Sequence, residues 1–188
     1  MSERPEFTEF TKIARLNREV VVTEKIDGTN ASIVISDDGN DIWAASRNRY
    51  VTPEADNFGF ARWVHENRDA LLTLGPGRHF GEWWGAGIQR RYGLAEKRFS
   101  LFNVSRMASR LQEGDPLLAA PGIGVVPVLW RGMLCDMDAR KILADLATNG
   151  SVAAPGFMQP EGIVVFHTAS GTLFKMTLDK NDEHKGTA

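Results

Sequence analysis

The sequence is divided into short β-branched runs that end at glycine-containing turns. Residues 19–26, Glu-Val-Val-Val-Thr-Glu-Lys-Ile, form one run, and Gly28 separates it from a second run over residues 31–36. β-Branched runs of this length favour strands, whereas Gly, Asp and Asn favour turns. Residues 37–40, Asp-Asp-Gly-Asn, therefore predict a hairpin turn, with residues 41–46 as the returning strand.

The remaining runs predict five more strands and two helices. The strands are expected over residues 78–84, 98–104, 125–130, 162–167 and 172–178. Helical spacing relates two apolar sets, namely Phe60, Trp63, Val64, Leu71 and Leu74, and then Ala139, Ile142, Leu143 and Leu146. Asp136 or Asp138 would cap the second helix and Gly150 would end it. Hairpins with two interposed helices predict an α+β domain of antiparallel sheets rather than a βαβ array.

Length and composition indicate one globular domain without a uniformly basic surface. The chain has 188 residues, of which 43% are hydrophobic and 24% charged, and its formal net charge is −2. A polyanion would therefore bind in a local groove of Lys and Arg. The single cysteine, Cys135, excludes an intramolecular disulfide, and its apolar neighbours predict a buried thiol. The four histidines and Cys135 lack metal-ligand spacing.

Targeting and membrane signals are not recognisable in the sequence. The N-terminal residues lack the basic and then apolar plan of a signal peptide. No apolar run approaches the roughly 20 residues that span a bilayer. We therefore expect a cytoplasmic protein without a membrane partner.

Four charged residues at strand ends are candidates for chemistry. Lys25 ends the first strand, Glu82 lies between Gly81 and two tryptophans, Glu161 precedes an apolar strand, and Lys175 lies on the next strand. Taken singly, Lys25 reads as a solvated strand-end lysine and Glu82 as an exposed acid. Together, two lysines suit phosphate oxygens, and two acids suit ribose hydroxyls or a hydrated magnesium ion.

The order and spacing of these residues resemble the covalent nucleotidyltransferases, the superfamily of polynucleotide ligases and capping enzymes. The resemblance rests on Lys-Ile-Asp-Gly-Thr-Asn from Lys25, Ser-Arg at 46–47, Phe-Gly-Glu at 80–82, Glu-Gly-Ile-Val-Val from Glu161, and Lys175. The Thr-Asn at 29–30 and Gly-Ala-Gly-Ile-Gln at 85–89 are similar to ATP-dependent RNA ligases, especially the nick-sealing branch of T-even phages. The resemblance implies an α+β nucleotidyltransferase (ATP-grasp-like) fold of antiparallel β-sheets with flanking helices.

This resemblance implies a role for each matched residue. Lys25 would attack ATP to form a lysyl-adenylate, and AMP would pass to a 5′-phosphate end before a 3′-hydroxyl seals the strand. The implied catalytic residues are Lys25, Glu161 and Lys175, with Glu161 also holding Mg²⁺ or Mn²⁺. The implied nucleotide-binding residues are Glu24, Lys25, Asn30, Arg47, Glu82, Phe102, Glu161 and Lys175. Within that set, Glu82 would bind the ribose and Phe102 would stack on adenine. Asn30 would act in the strand-sealing step rather than in self-adenylylation.

The sequence departs from the family pattern at two points. The family usually has a second lysine where this chain has Thr177, so the first step is expected to be slow, with Lys180 a distant substitute. Residues 1–178 are expected to form the adenylyltransferase domain and residues 179–188 a polar tail, without a separate C-terminal domain. Whether a partner protein supplies that domain stays open. The few residues before Glu19 cannot form the module of NAD-using ligases, so ATP is the expected donor.

Several identities remain open at this level. The expected partners are RNA ends or a nicked duplex of RNA or RNA/DNA hybrid. The expected location is the cytoplasm, which would be the host cytosol if a phage encodes the protein. The alternatives are a DNA ligase core, another polynucleotide nucleotidyltransferase, and a noncatalytic nucleotide- or RNA-binding relative. The pair Arg90 and Arg91 reads equally as a solvated face or as a phosphate contact.

Overall fold

The computed structural model describes residues 5–107 and 109–179. Within them the strands are β1 Glu19–Lys25, β2 Thr29–Ile35, β3 Ile42–Ser46, β4 Tyr50–Val51, β5 Gly77–Gly85, β6 Lys97–Leu101, β7 Ile123–Val125, β8 Val128–Met133, β9 Gly162–His167 and β10 Thr172–Thr177. The helices are α1 Phe60–Glu66, α2 Arg68–Leu72, α3 Val104–Met107 and α4 Ala139–Asn149, and 3-10 turns cover Pro116–Ala119 and Leu134–Asp136. None of these helices combines the length and apolar character that crossing a membrane requires.

The strands form two sheets, which confirms the α+β class. The first sheet has the order β10-β9-β1-β8 and is antiparallel throughout. The second sheet has the order β4-β3-β2-β5-β6-β7. It is antiparallel except for its last pair, β6 and β7, which run parallel. Because seven of the eight strand pairs are antiparallel, the prediction of antiparallel sheets rather than a βαβ array is also confirmed.

Each sheet buries one face against helices. In the first sheet, Val20, Val22, Ile163 and Val165 pack with Leu146 of α4. In the second sheet, the buried face packs on α1 through an aromatic cluster of Phe60, Trp63, Trp83 and Phe99, and Leu71 of α2 joins the same core. Burying one such side chain contributes about 1.5–3 kcal/mol to stability. These two cores leave the opposite faces of both sheets available to form a site.

Two short crossings join the sheets. The chain passes from β1 to β2 through Ile26 and from β7 to β8 through Val126 and Pro127. Val126 N–H donates to Leu101 of the second sheet, whereas the Pro127 carbonyl accepts from Glu24 of the first. Ile26 and Val126 pack in a third core with Trp84, Tyr92 and Ala154. This junction core fixes the end of β1 against the second sheet.

Four local predictions were wrong or incomplete. The run over residues 125–130 is two strands, because Pro127 cannot donate a ladder hydrogen bond and marks the crossing. The strand over residues 98–104 ends at Leu101, since residues 104–107 form α3. The helix from Phe60 breaks at Asn67, although all five predicted apolar residues are buried. Cys135 is exposed and lies in the 3-10 turn that precedes α4.

The second predicted helix is confirmed with its cap. The Asp138 carboxylate accepts a hydrogen bond from the Lys141 N–H, 2.9 Å away, at the start of α4. Gly150 ends the helix with a positive φ of 81°, a conformation that favours glycine. The cap is therefore Asp138 rather than Asp136, which lies in the preceding 3-10 turn.

Candidate active site

Lys25 and Glu161 meet at the adjacent ends of two paired strands. Lys25 is the last residue of β1 and lies opposite Gly162, the first residue of β9. Glu161 immediately precedes that glycine, and its Oε2 atom lies 2.6 Å from Lys25 Nζ. The two side chains are 25% and 15% exposed. Lys25 is therefore a half-buried, paired amine rather than a freely solvated strand-end lysine.

Glu82 lies on the second sheet, opposite Asn30 in the register of β5 and β2. Its side chain is buried, and its two oxygens accept hydrogen bonds at 3.0 Å from the Gly28 N–H and from Asn30 Nδ2. The interpretation of Glu82 as an exposed acid was therefore wrong. Both donors come from the segment after Lys25, so Glu82 fixes that segment to β5.

Burial raises the pKa of Glu82 from 4.5 to about 7. The positive charge of Lys25 and the two hydrogen bonds oppose that rise, whereas the negative charge of Glu161 adds to it. Lys25, Glu82 and Glu161 therefore share one electrostatic environment. A carboxyl that changes charge near neutral pH, next to a lysine, is typical of a functional site.

Gly28 permits the close approach that makes this geometry. A Cβ atom on Gly28 would lie 2.4 Å from the Trp83 carbonyl oxygen and 2.7 Å from Trp84 Cβ. Both distances are below any normal contact, and the first neighbour is backbone that cannot rotate away. Only glycine therefore lets the segment after Lys25 lie against β5 and donate to Glu82.

The register places Lys175 and Thr177 on the same sheet face as Lys25. Thr177 lies opposite Gly162, which lies opposite Lys25, so the three residues form one cross-strand row. Lys175 belongs to the next row, opposite Val164, and its side chain is exposed. Because Gly162 has no side chain, no other side chain stands between Lys25 and Thr177 in that row. Lys180 lies outside the described residues.

Arg47 and Phe102 lie at the ends of strands of the second sheet. Arg47 follows β3, in the exposed turn to β4. Phe102 follows β6, is 42% exposed, and its N–H donates to the Phe80 carbonyl at 2.9 Å. Among the residues that the structure describes, no hydrogen bond connects either side chain to Lys25 or Glu161. The Arg47 and Phe102 side chains are therefore not part of the hydrogen-bond network of Lys25 and Glu161.

Glu24 is turned away from that centre. Its side chain is 1% exposed and alternates with Lys25, so it lies on the opposite face of β1. The carboxylate accepts hydrogen bonds from Ser151 Oγ at 2.6 Å and from the N–H groups of Val152 and Ala153 at 2.8 Å. Its side chain holds the loop after α4, and only its backbone faces the junction with the second sheet.

The sequence left Arg90 open between a solvated face and a phosphate contact, and it did not single out Tyr92. Arg90 Nε donates to Asp27 Oδ2 at 3.0 Å, and its other nitrogens donate to the Gln159 carbonyl and to Asp179. Tyr92 is buried, and its hydroxyl accepts from the Asp27 N–H at 2.8 Å. Arg90 is therefore a structural tie for the segment after Lys25. Asp27 was the available signal in the sequence, because a partly buried carboxylate in a turn takes hydrogen-bond partners.

The acids of the site do not form a metal cage on their own. Within residues 5–107 and 109–179, no group of three or more His, Cys, Asp or Glu side chains could hold a metal ion. Magnesium commonly takes one or two carboxylates and completes its shell with water and substrate phosphates. Glu161, accessible and at the centre, fits that mode as a single protein ligand.

A large open cavity lies at one end of the second sheet. Its volume is about 1370 Å³, and its lining includes Trp83, Trp84, Lys97 and Arg98 at the end of the second sheet. Lys25, Glu82 and Glu161 do not line it. The hydrogen bonds around Lys25, and not cavity size, therefore define the candidate site.

Comparisons with known proteins identify the family. The family model described as RNA ligase matches residues 18–177. No curated protein sequence matches the chain. Two solved structures of Naegleria gruberi RNA ligase with ATP and Mn, each an alanine variant, are 21% identical with TM-scores of 0.64. They cover 87% and 94% of this chain, and 51% and 58% of their own.

A third solved structure, Naegleria gruberi RNA ligase with PPi, is 22% identical, has a TM-score of 0.63, and covers 93% of this chain and 57% of its own. At such identities, these likenesses establish the fold. The chain spans between half and three fifths of the solved chains that it matches. Because the family model covers most of the sequence, the chain belongs to the RNA ligase family.

Proposed function

We propose that residues 18–177 are the adenylyltransferase domain of an ATP-dependent RNA ligase. The observation that carries this proposal is the paired Lys25 and Glu161, 2.6 Å apart in a chain of the RNA ligase family. The solved Naegleria ligases contain ATP and Mn, AMP and Mn, or PPi. Those ligands correspond to the donor and products of an adenylyl transfer.

In the first step, Lys25 Nζ would attack the α-phosphorus of ATP. The new P–N bond replaces the P–O bond to pyrophosphate, which leaves. Lysine attacks only as the neutral amine, so its proton must go to an acceptor. Glu161 Oε2, which accepts a hydrogen bond from Lys25 Nζ in the resting protein, would be the first acceptor and would pass the proton to solvent before its carboxylate binds the metal.

Other residues would hold the nucleotide and the metal. Lys175, on the same sheet face, would contact phosphate, and Glu82 with Asn30 would meet the ribose. Phe102 would stack on adenine. Mg²⁺ or Mn²⁺, with Glu161 as its protein ligand, would neutralise phosphate charge. Glu24 could contact the nucleotide only through its backbone, because its carboxylate binds the loop after α4.

The later steps join two strands. An oxygen of an RNA 5′-phosphate would attack the same phosphorus, which breaks the P–N bond and gives an RNA adenylate. A 3′-hydroxyl would then attack the 5′-phosphate and release AMP. Arg47, exposed beside the second sheet, would contact the 3′-hydroxyl strand.

Nick sealing on matched duplexes tests this function. The protein is incubated with ATP, magnesium and nicked duplexes that are all RNA, mixed RNA/DNA, or all DNA. We expect the wild-type protein to seal the RNA-containing nicks and the Lys25→Ala variant to seal none of them. Sealing confined to all-DNA nicks would identify a DNA ligase core. Binding without an adenylate or sealing would identify a noncatalytic relative.

A further inference from the structure

The second sheet carries large aromatic side chains on its solvent-facing side. Trp43 on β3, Tyr50 on β4 and Phe80 on β5 are 46%, 55% and 57% exposed. They lie on the face opposite the aromatic core that packs on α1 and α2. We call Trp43, Tyr50, Phe80 and the exposed Arg78 the aromatic face. Contiguous exposed aromatics of this kind mark interaction surfaces.

The strand register brings these residues together. Tyr50 lies opposite Ala45, Ala45 opposite Ser32, and Ser32 opposite Phe80, so one row crosses four strands. The two central residues are small and buried, which leaves a shallow floor between two exposed rings. The next row runs from Trp43 through Val34 to Arg78. The aromatic face is therefore a trough with two aromatic walls and a floor of small residues, over which the Arg78 side chain lies.

Arg78 already occupies this trough as a flat group would. Its guanidinium carbon lies 5.8 Å from the ring centroids of both Tyr50 and Phe80. The side chain also donates to the Tyr50 hydroxyl at 3.3 Å and to Ser32 Oγ at 3.5 Å. The two ring centroids therefore lie no further apart than twice 5.8 Å. A planar base has the shape and π-faces to enter between or beside these groups.

We propose that the aromatic face binds unpaired bases of a single-stranded RNA segment that adjoins the ends to be joined. This proposal rests on the proposed function. The face is continuous with the candidate active site, since Phe80 precedes Glu82 by two residues on β5 and points to the same side. Phe80 also neighbours Phe102 through the backbone hydrogen bond between them.

The chemistry of the face favours single-stranded over double-stranded RNA. Bases in a duplex are stacked on one another and do not offer their faces, whereas unpaired bases stack on aromatic rings and on arginine. Arg78 in the aromatic face and Arg47 in the turn after β3 supply positive charge for phosphates in a chain of net charge −2. A duplex would meet this trough only along its backbone.

Fluorescence anisotropy of a labelled short single-stranded RNA, at one fixed salt concentration, tests the proposal. Phe80→Ala and Tyr50→Ala should each weaken binding about tenfold, the effect of losing one stacked base. Arg78→Lys keeps the charge but loses the planar stack, so it should also weaken binding. Phe174→Ala is the matched control, because Phe174 is 58% exposed on the first sheet, outside the aromatic face.

The same variants separate this proposal from the proposed function. Each should still form the covalent AMP adduct at the wild-type rate, because none of the substituted side chains contacts Lys25 or Glu161. Wild-type affinity in Phe80→Ala and Tyr50→Ala, an equal loss in Phe174→Ala, or tighter binding of the same RNA after annealing to its complement would overturn the proposal. Absence of the adduct from the wild-type protein would refute the proposed function alone.

Discussion

Lys25 Nζ and Glu161 Oε2 lie 2.6 Å apart although 136 residues separate them in the chain. The antiparallel pairing of β1 with β9 produces this contact, since Lys25 ends one strand where the other begins. The carboxylate accepts a hydrogen bond from the amine and is the acceptor that lies against its proton. The pair therefore fixes the position of the amine that we propose as the nucleophile.

Replacing Glu161 should impair the first chemical step. Glu161→Gln and Glu161→Ala should each slow covalent AMP labelling by about a hundredfold or more, the scale of losing one electrostatic stabiliser of a transition state. Single-turnover labelling with ATP and magnesium measures this rate. Asp145→Asn breaks an exposed ion pair with Lys141 and serves as the control, which should label normally. Normal labelling by Glu161→Ala would exclude a role for this carboxylate.

Glu82 should make the stability of the protein depend on pH. Its pKa rises from 4.5 in the unfolded chain to about 7 when folded, so the folded state holds the proton more tightly. The stabilisation is complete below about pH 4.5 and is lost as pH rises through 7, by on the order of 3 kcal/mol. Urea unfolding across this window should show a smaller decline for Glu82→Gln than for the wild type.

The exposed carboxyl of Glu96 provides the control for that measurement, because its side chain is 61% exposed. Glu96→Gln should keep the wild-type decline between pH 4.5 and 7. A decline equally steep in Glu82→Gln would show that other groups cause it.

Glu24 should matter for stability through the loop that it holds. Glu24→Gln places an amide where two backbone N–H groups and a hydroxyl need acceptors, so at least one buried donor loses its partner. Such a loss costs about 1–3 kcal/mol and should lower the Tm by several degrees. Thermal unfolding measures it, and Asp38→Asn at an exposed turn should have a much smaller effect. An unchanged Tm would mean that the loop does not depend on Glu24.

Thr177 should limit the rate of self-adenylylation. It shares a cross-strand row with Lys25, so Thr177→Lys adds a cation on the face where phosphates would bind. The substitution should speed the first step and narrow the advantage of pre-adenylylated RNA over 5′-phosphate RNA with ATP. Single-turnover kinetics of each step measure both effects.

Leu173→Lys is the matched control, because it adds the same charge to the same face of β10, four residues before Thr177. It should leave the first step unchanged. A similar acceleration by both substitutions would indicate a general effect of net charge, and no acceleration by Thr177→Lys would refute a limiting role for this position.

The sequence was most informative for elements that local residue preferences determine. The run before Lys25, the turn at Gly39 and the capped helix from Ala139 follow from propensity, and all are confirmed. The crossing at Pro127 was missed because the apolar run is continuous and periodicity does not show where a chain changes sheets.

The environment of the site residues could not be predicted in the same way. Glu24 and Lys25 are adjacent in sequence, yet one binds a buried loop and the other faces Glu161. Which face receives which partner depends on residues more than a hundred positions away. The ties made by Arg90 to Asp27 and Asp179 depend equally on tertiary contacts. Motif spacing therefore identified candidate residues but not the hydrogen bonds that position them.

The most direct measurement of the central claim is the location and chemistry of the AMP adduct. The protein is incubated with labelled ATP and magnesium, denatured, and analysed on a gel and by peptide mass spectrometry. We expect one acid-labile, alkali-stable adduct on Lys25, absent from Lys25→Ala although that variant stays folded. An adduct on another residue, an alkali-labile acyl-phosphate, or labelling that persists in Lys25→Ala would contradict the assignment of Lys25 as the nucleophile.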